Sequence, residues 1–182
     1  QPMLDSTGDL VITHNGEIYN YLELADELRR KGYRYRSSSD TEVLLTAYDA
    51  WRGTCLDRLN GMFAFAIWDE RRQELFAARD RFGEKPFYYY HDPDRAVLLF
   101  ASEIKALLTS RVFRAEPNNT GIYRYLAHYE IDVGADTLFQ GIRALPPAHA
   151  LLYSRSDGTL KIWQYWELDS GAEIRLSNDQ AY

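Results

Sequence analysis

The feature that most constrains this chain is a crowded run of short apolar segments between residues 63 and 101. Segments 63–68, 75–78, 87–91 and 96–101 are rich in aromatic and aliphatic residues, and polar turn-forming stretches such as Asp69-Glu-Arg-Arg-Gln73 and Asp92-Pro-Asp-Arg95 separate them. They predict an antiparallel meander. Helical periodicity flanks it: residues 21–30 put Leu22, Ala25 and Leu28 on one face, with Gly32 as a C-terminal cap, and Val43, Leu44, Ala47, Tyr48 and Trp51 recur at helical spacing in the next segment. Residues 103–109 and 119–129 return to helix, the latter with Ile122, Tyr125, Leu126 and Tyr129 on one side. Further strands are expected at 10–13, 33–36, 150–153 and 160–168, the last two around an Asp157-Gly158 turn. Strands and helices come in blocks rather than strict alternation, which predicts an α+β fold with a largely antiparallel sheet.

Composition excludes several functions. A chain of 182 residues is long enough for one domain with a real core. Its net charge is −6, and its basic residues are scattered among acids, as in Arg111-Val-Phe-Arg-Ala-Glu116, so it offers no basic face to a nucleic acid. No apolar run approaches a membrane span and no secretory leader is expected, so a cytoplasmic protein is the default expectation. Cys55 is the only cysteine, so an intrachain disulfide is impossible and a reducing compartment is expected; its apolar neighbours suggest a buried, inert thiol rather than a nucleophile. His14, His91, His128 and His149 are too scattered for metal-ligand spacing, and no metal is expected. Phosphate-loop, dinucleotide and serine-elbow glycine motifs are absent; Phe82-Gly-Glu-Lys-Pro86 has a Gly and a Lys but the wrong spacing.

Two polar constellations remain. Asn15-Gly16-Glu17 follows a strand and precedes a helix, so the Asn-Gly pair has no hairpin to close. A carboxamide and a main-chain N–H side by side are the donors an oxyanion hole needs during acyl transfer. A tight turn, with Glu17 favourably placed against the helix dipole, accounts for the same residues, and the local sequence favours it. Ser39-Asp40-Thr41-Glu42 reads as a capping box opening the second helix; that explanation does not use Asp40, whose carboxylate could face an ammonium group.

Taken together, these stretches resemble one family. His14-Asn-Gly-Glu-Ile-Tyr-Asn20, Ser39-Asp-Thr-Glu-Val43, Leu59-Asn-Gly-Met-Phe-Ala-Phe-Ala-Ile-Trp-Asp69, Ala78-Arg-Asp-Arg-Phe-Gly-Glu-Lys-Pro86, Phe100-Ala-Ser-Glu-Ile-Lys-Ala106, Asp136-Thr-Leu-Phe-Gln-Gly-Ile142 and Leu145-Pro-Pro147 occur in order. The chain is similar to the glutaminase half of glutamine-hydrolysing asparagine synthetases, a class II glutamine amidotransferase domain. The resemblance implies an N-terminal-nucleophile hydrolase fold, a four-layer sandwich of antiparallel sheets between helical layers. It implies hydrolysis of glutamine to glutamate and ammonia, the ammonia passing to a separate ATP- and magnesium-using domain that amidates aspartate. It implies that Asn15 and Gly16 form the oxyanion hole, and that Glu17 and Asp40 hold the substrate, Asp40 at its α-ammonium.

The resemblance also marks departures. The family's nucleophile is an N-terminal cysteine assisted by its own α-amine, and its glutamine-binding arginine lies in an upstream segment. Neither is present here: Gln1-Pro2-Met3 matches a point well inside such domains, and Cys55 matches an internal position. Residues 1–168 are therefore expected to be a partial amidotransferase domain lacking its N-terminal strands, with 169–182 opening a linker toward an absent synthetase domain. The chain alone is expected to lack glutaminase activity, and to self-associate through exposed sheet edges. Two alternatives stay open: a non-catalytic interaction module of the same fold, or the amidotransferase part of a similar enzyme with a different acceptor.

Overall fold

The computed structural model of the chain describes residues 1–112, 114–130 and 134–169. A six-stranded sheet runs in the order β1 (Met3–Leu4), β2 (Leu10–Ile18), β3 (Gly61–Asp69), β4 (Glu74–Arg79), β8 (His149–Ser154) and β9 (Leu160–Gln164). A second sheet orders β6 (Val97–Ala101), β5 (Tyr88–Asp92) and β7 (Ile142–Ala144). Every pairing in both is antiparallel. The expected meander is therefore broken once. β3 and β4 pair as expected, but β4 takes β8 as its other neighbour, and the chain crosses at residues 80–87 to begin the second sheet.

Side-chain size decides how the layers stack. Along β3, Phe63, Phe65 and Ile67 point to one face while Ala64 and Ala66 point to the other. The bulky face packs on helices α1 (Tyr21–Arg30) and α2 (Asp40–Trp51), where Tyr48 stacks on Phe76 at 5.1 Å. The small face admits the second sheet closely, with Phe87, Tyr89 and Phe100 filling the space over the alanines. The short helix α3 (Ile104–Leu108) packs on β5 and β6 from the far side. Helices, sheet, sheet and α3 make the four layers. Because β3 is covered on both faces, its residues read as one continuous apolar run rather than an alternation.

Several local expectations need correcting. Residues 33–36 form no strand; they lead out of a Schellman turn in which Gly32 (φ 96°) donates to the Arg29 carbonyl and Tyr33 to that of Leu28. Leu22 is 60% exposed, and Leu24 joins Ala25 and Leu28 in the core instead. Helix α3 is five residues long, and α4 spans Asn119–His128, capped by the Asn118 side chain on Gly121, with Tyr129 just beyond it in a left-handed conformation. The apolar face of α4 buries none of its side chains. β9 ends at Gln164, short of the expected 168. The linker expected at 169–182 falls, from residue 170 on, outside the described residues. No described helix is long and apolar enough to cross a membrane.

Candidate active site

Asn15, Gly16 and Glu17 are not in a turn. β2 continues through them to Ile18, in register with β3: Asn15 opposite Ala64, Gly16 opposite Phe63, Glu17 opposite Met62. Glycine is required here. Gly16 has φ of 147°, and a Cβ would stand 2.1 Å from the Met62 carbonyl oxygen and 2.7 Å from the Phe63 Cα. The main chain of Phe63 is committed to Asp80, its N–H donating to the carboxylate and its carbonyl accepting from the Asp80 N–H. The Gly16–Phe63 pair therefore exchanges no hydrogen bonds, and the Gly16 N–H faces the edge of β2 away from β3. On that same edge the His14 N–H donates to the Gln1 side chain and the Ile18 N–H donates to Asp40.

Asn15, Gly16, Glu17 and Asp40 line one open cavity of about 450 Å³, together with Tyr21, Ser38, Ser39, Met62 and Lys85. Asn15 also borders a smaller cleft of about 220 Å³ between the two sheets, walled by Phe87, Phe100 and Ser102. Its carboxamide donates to Ser102 Oγ at 3.2 Å, which uses one N–H and leaves the second available. All four residues expected from the sequence thus meet in one place.

Asp40 opens α2. Ser39 is the N-cap and accepts from the Thr41 N–H at 3.2 Å. The reciprocal half of the capping box is not made. Glu42 reaches further back instead, accepting from the Arg36 and Ser37 main chain and the Ser37 hydroxyl, which lowers its pKa against the opposing effect of burial. Asp40 stays turned to the cavity, one oxygen accepting from the Ile18 N–H at 3.0 Å and the other from the Thr41 hydroxyl at 3.4 Å.

Three contributors were not singled out from the sequence. Lys85 is the one cation lining the larger cavity among the described residues. It leaves the loop that follows β4, which Asp80, fully buried, gathers by accepting from the Phe82, Glu84 and Lys85 N–H groups. Arg79 clamps the same loop from outside by donating to the carbonyls of Gly83, Lys85 and Leu145. Ser102 orients Asn15, and His14 bonds to Thr41 behind Asp40. The repeated charges around Gly83 were the available signal for the loop; no local signal pairs Ser102 with Asn15, since 87 residues separate them.

A third hollow, beside α2, is lined by paired charges, Arg52 with Asp69 at 2.9 Å and Arg71 with Asp9. Those groups satisfy one another. Cys55 lies elsewhere, wholly buried, and burial pushes its thiol up to about 12. No group of three His, Cys, Asp or Glu among the described residues is placed to hold a metal.

Residues 1–166 match the glutamine amidotransferase domain. The chain belongs to that family. Among the relatives of this amidotransferase domain, asparagine synthetase [glutamine-hydrolyzing] 3 of Bacillus subtilis is 46% identical over 159 residues, covering 87% of this chain and 25% of that protein. A putative asparagine synthetase [glutamine-hydrolyzing] 2 of Methanocaldococcus jannaschii is 33% identical over 162 residues, covering 88% and 30%. The amidase chry2 of Gibberella zeae is 35% identical over 173 residues, covering 93% and 24%. The chain thus spans a quarter to a third of these relatives' length. In fold, the amidotransferase domain matches the glutamine phosphoribosylpyrophosphate amidotransferase of B. subtilis with a TM-score of 0.61 at 22% identity, covering 91% of this chain and 32% of that one. The family resemblance read from the motifs and the α+β, N-terminal-nucleophile hydrolase fold are both borne out.

Proposed function

We propose that this domain binds glutamine and hydrolyses its side-chain amide to glutamate and ammonia, as the glutaminase part of a glutamine-hydrolysing asparagine synthetase. The observation that carries this reading is one cavity holding two oxyanion donors, Asn15 and Gly16, beside two acids, Glu17 and Asp40. In this reading a nucleophile attacks the glutamine amide carbon. The negative charge that develops on the amide oxygen is taken by the Asn15 carboxamide and the Gly16 N–H. Glu17 and Asp40 hold the glutamine, Asp40 at its α-ammonium, and Lys85 lines the same cavity with the opposite charge, so the cavity suits a zwitterion.

Cys55 is not the nucleophile. Its thiol is buried, and at neutral pH it is protonated. The reading assigns the attack to the family's N-terminal cysteine, and assigns ATP, magnesium and the amidation of aspartate to a separate synthetase domain; no residue of this cavity is given to them. Similarity to an amidase as well as to asparagine synthetases supports a second reading, in which the same glutaminase serves another acceptor.

The test is glutamate release from glutamine by the full-length protein. Asn15→Ala is expected to lower kcat by about 10²- to 10³-fold with little change in KM, as for loss of one oxyanion donor. Asp40→Asn is expected to raise KM instead. Undiminished turnover in Asn15→Ala overturns the assignment. ATP consumption that does not depend on aspartate turns the acceptor to the second reading.

A further inference from the structure

His14 is the residue next to the oxyanion pair to which the proposed reaction gives no role. Its side chain lies on the helix-facing side of β2, with Leu10, Ile12 and Ile18, and is 7% exposed. Ring Nδ1 is 3.1 Å from Thr41 Oγ1, while ring Nε2 is buried without a hydrogen-bond partner. Thr41 in turn bonds to Asp40. A hydroxyl carries a single hydrogen, and the Asp40 carboxylate can only accept. With the Thr41 hydrogen given to Asp40 at 3.4 Å, His14 donates to Thr41 from Nδ1–H. That leaves Nε2 as a bare lone pair.

We propose that neutral, Nδ1-protonated His14 is a positioning residue that, through Thr41, aims the Asp40 carboxylate at the ammonium group of the amino-acid substrate. This rests on the glutamine-binding reading of Asp40. The relay and the Ile18 N–H together hold both Asp40 oxygens from behind, so the outward lone pairs face the cavity. Protonating Nε2 places an N–H in a buried spot with no acceptor, which costs free energy. In accordance, burial holds the His14 pKa below its ordinary 6.5, opposed by the Asp40 charge. His14 is also pinned along its main chain, where the Gln1 carboxamide spans its N–H and carbonyl at 2.7 Å each.

Three measurements test the relay. Nitrogen NMR of the 182-residue chain reads the imidazole tautomer directly, without substrate: Nδ1–H is expected, and an Nε2–H imidazole overturns the proposal. In the full-length protein, His14→Phe is expected to raise KM for glutamine about three- to tenfold, the worth of one lost hydrogen bond, with kcat little changed. His14→Asn, whose amide nitrogen falls near the position of Nδ1, is expected to restore most of that affinity. Protonated His14 keeps its Nδ1–H toward Thr41 but adds a positive charge near Asp40 that competes with the substrate ammonium, so the wild-type KM is expected to rise as pH falls below 6.5 through the His14 pKa, and the His14→Asn enzyme to lose that dependence. Asp40→Asn separates the two ideas. If it raises KM and His14→Phe does not, the relay fails alone; if neither moves KM, the glutamine-binding reading falls with it.

Discussion

Asp80 offers the most exacting test of how this site is held together. Its carboxylate is fully buried and accepts four main-chain hydrogen bonds: from Phe63 at 3.3 Å and Lys85 at 3.0 Å on one oxygen, and from Phe82 and Glu84, each at 3.0 Å, on the other. Its own N–H bonds back to the Phe63 carbonyl at 2.7 Å, and its carbonyl accepts from Ala148. The residue therefore ties β3, the 80–86 loop and the start of β8 into one unit. Asp80→Asn keeps the shape and turns one acceptor oxygen into a donor. Two main-chain N–H groups then face an NH₂, whichever way the amide is turned. Leaving a buried donor unsatisfied costs about 1–3 kcal/mol, so two cost about 2–6 kcal/mol. That is a large part of the roughly 5–15 kcal/mol that holds a domain folded. Urea unfolding followed by tryptophan fluorescence is the assay; with a slope of about 2 kcal/mol/M, the midpoint is expected to fall by roughly 1–3 M. A loss below about 1 kcal/mol refutes the reasoning. It would mean the four donors find other acceptors, and that the loop carrying Lys85 is not organised by this carboxylate.

Other perturbations probe separate parts of the structure. Gly16→Ala forces a Cβ against the β3 main chain at a φ glycine favours, so a loss of roughly 2–5 kcal/mol is expected on urea unfolding, and near-native stability there refutes the close approach. Cys55 is expected to ignore a disulfide-exchange dye at pH 8 until the chain is unfolded; fast labelling of the native protein counts against its burial. Because its folded pKa of about 12 lies above the ordinary 9.0, the stability it contributes is complete below pH 9 and declines as pH rises toward 12. The outer strands β6 and β9 each lack a strand neighbour on one side among the described residues, with Ile162 and Trp163 of β9 partly exposed, so the 182-residue chain is expected to self-associate in sedimentation velocity. A single monomeric species at all concentrations refutes this.

What was legible in the sequence was mostly what depends on neighbours along the chain. Helical spacing located α1 and α2, alternating and apolar runs located β3 to β6, and Gly32 marked a turn that does close α1. Leu22 differs from expectation because two registers of the same helix place apolar residues on a face, and only packing into the core that α1 shares with α2 selects Leu24. The sheet order escaped for a related reason. Nothing local tells β4 that its partner is β8, about 75 residues later, rather than the strand that follows it. Residues 33–36 alternate like a strand yet find no partner to pair with. The site divides in the same way. The local sequence around Asn15 and Gly16 suggested a turn; the family resemblance pointed to the oxyanion pair, and the long β2 ladder explains why a glycine stands there. Ser102, Lys85 and His14 join the site only through contacts distant in sequence.

Those long-range contacts are also what makes the cavity suited to chemistry. Asn15 is held by Ser102, Asp40 by Ile18 and Thr41, and the loop bearing Lys85 by Asp80 and Arg79. Donors and charges fixed before a ligand arrives need not reorganise when charge develops, which is where such sites gain most of their effect. The supports are drawn from both sheets and from the first turn of α2, so the cavity's shape depends on the sheets remaining stacked. A substitution that loosened only that stacking, between Phe87 or Phe100 and the alanines of β3, would free Ser102 from Asn15 without touching the cavity wall. Its signature would be a fall in kcat with KM preserved, the opposite of what loss of the His14 relay produces.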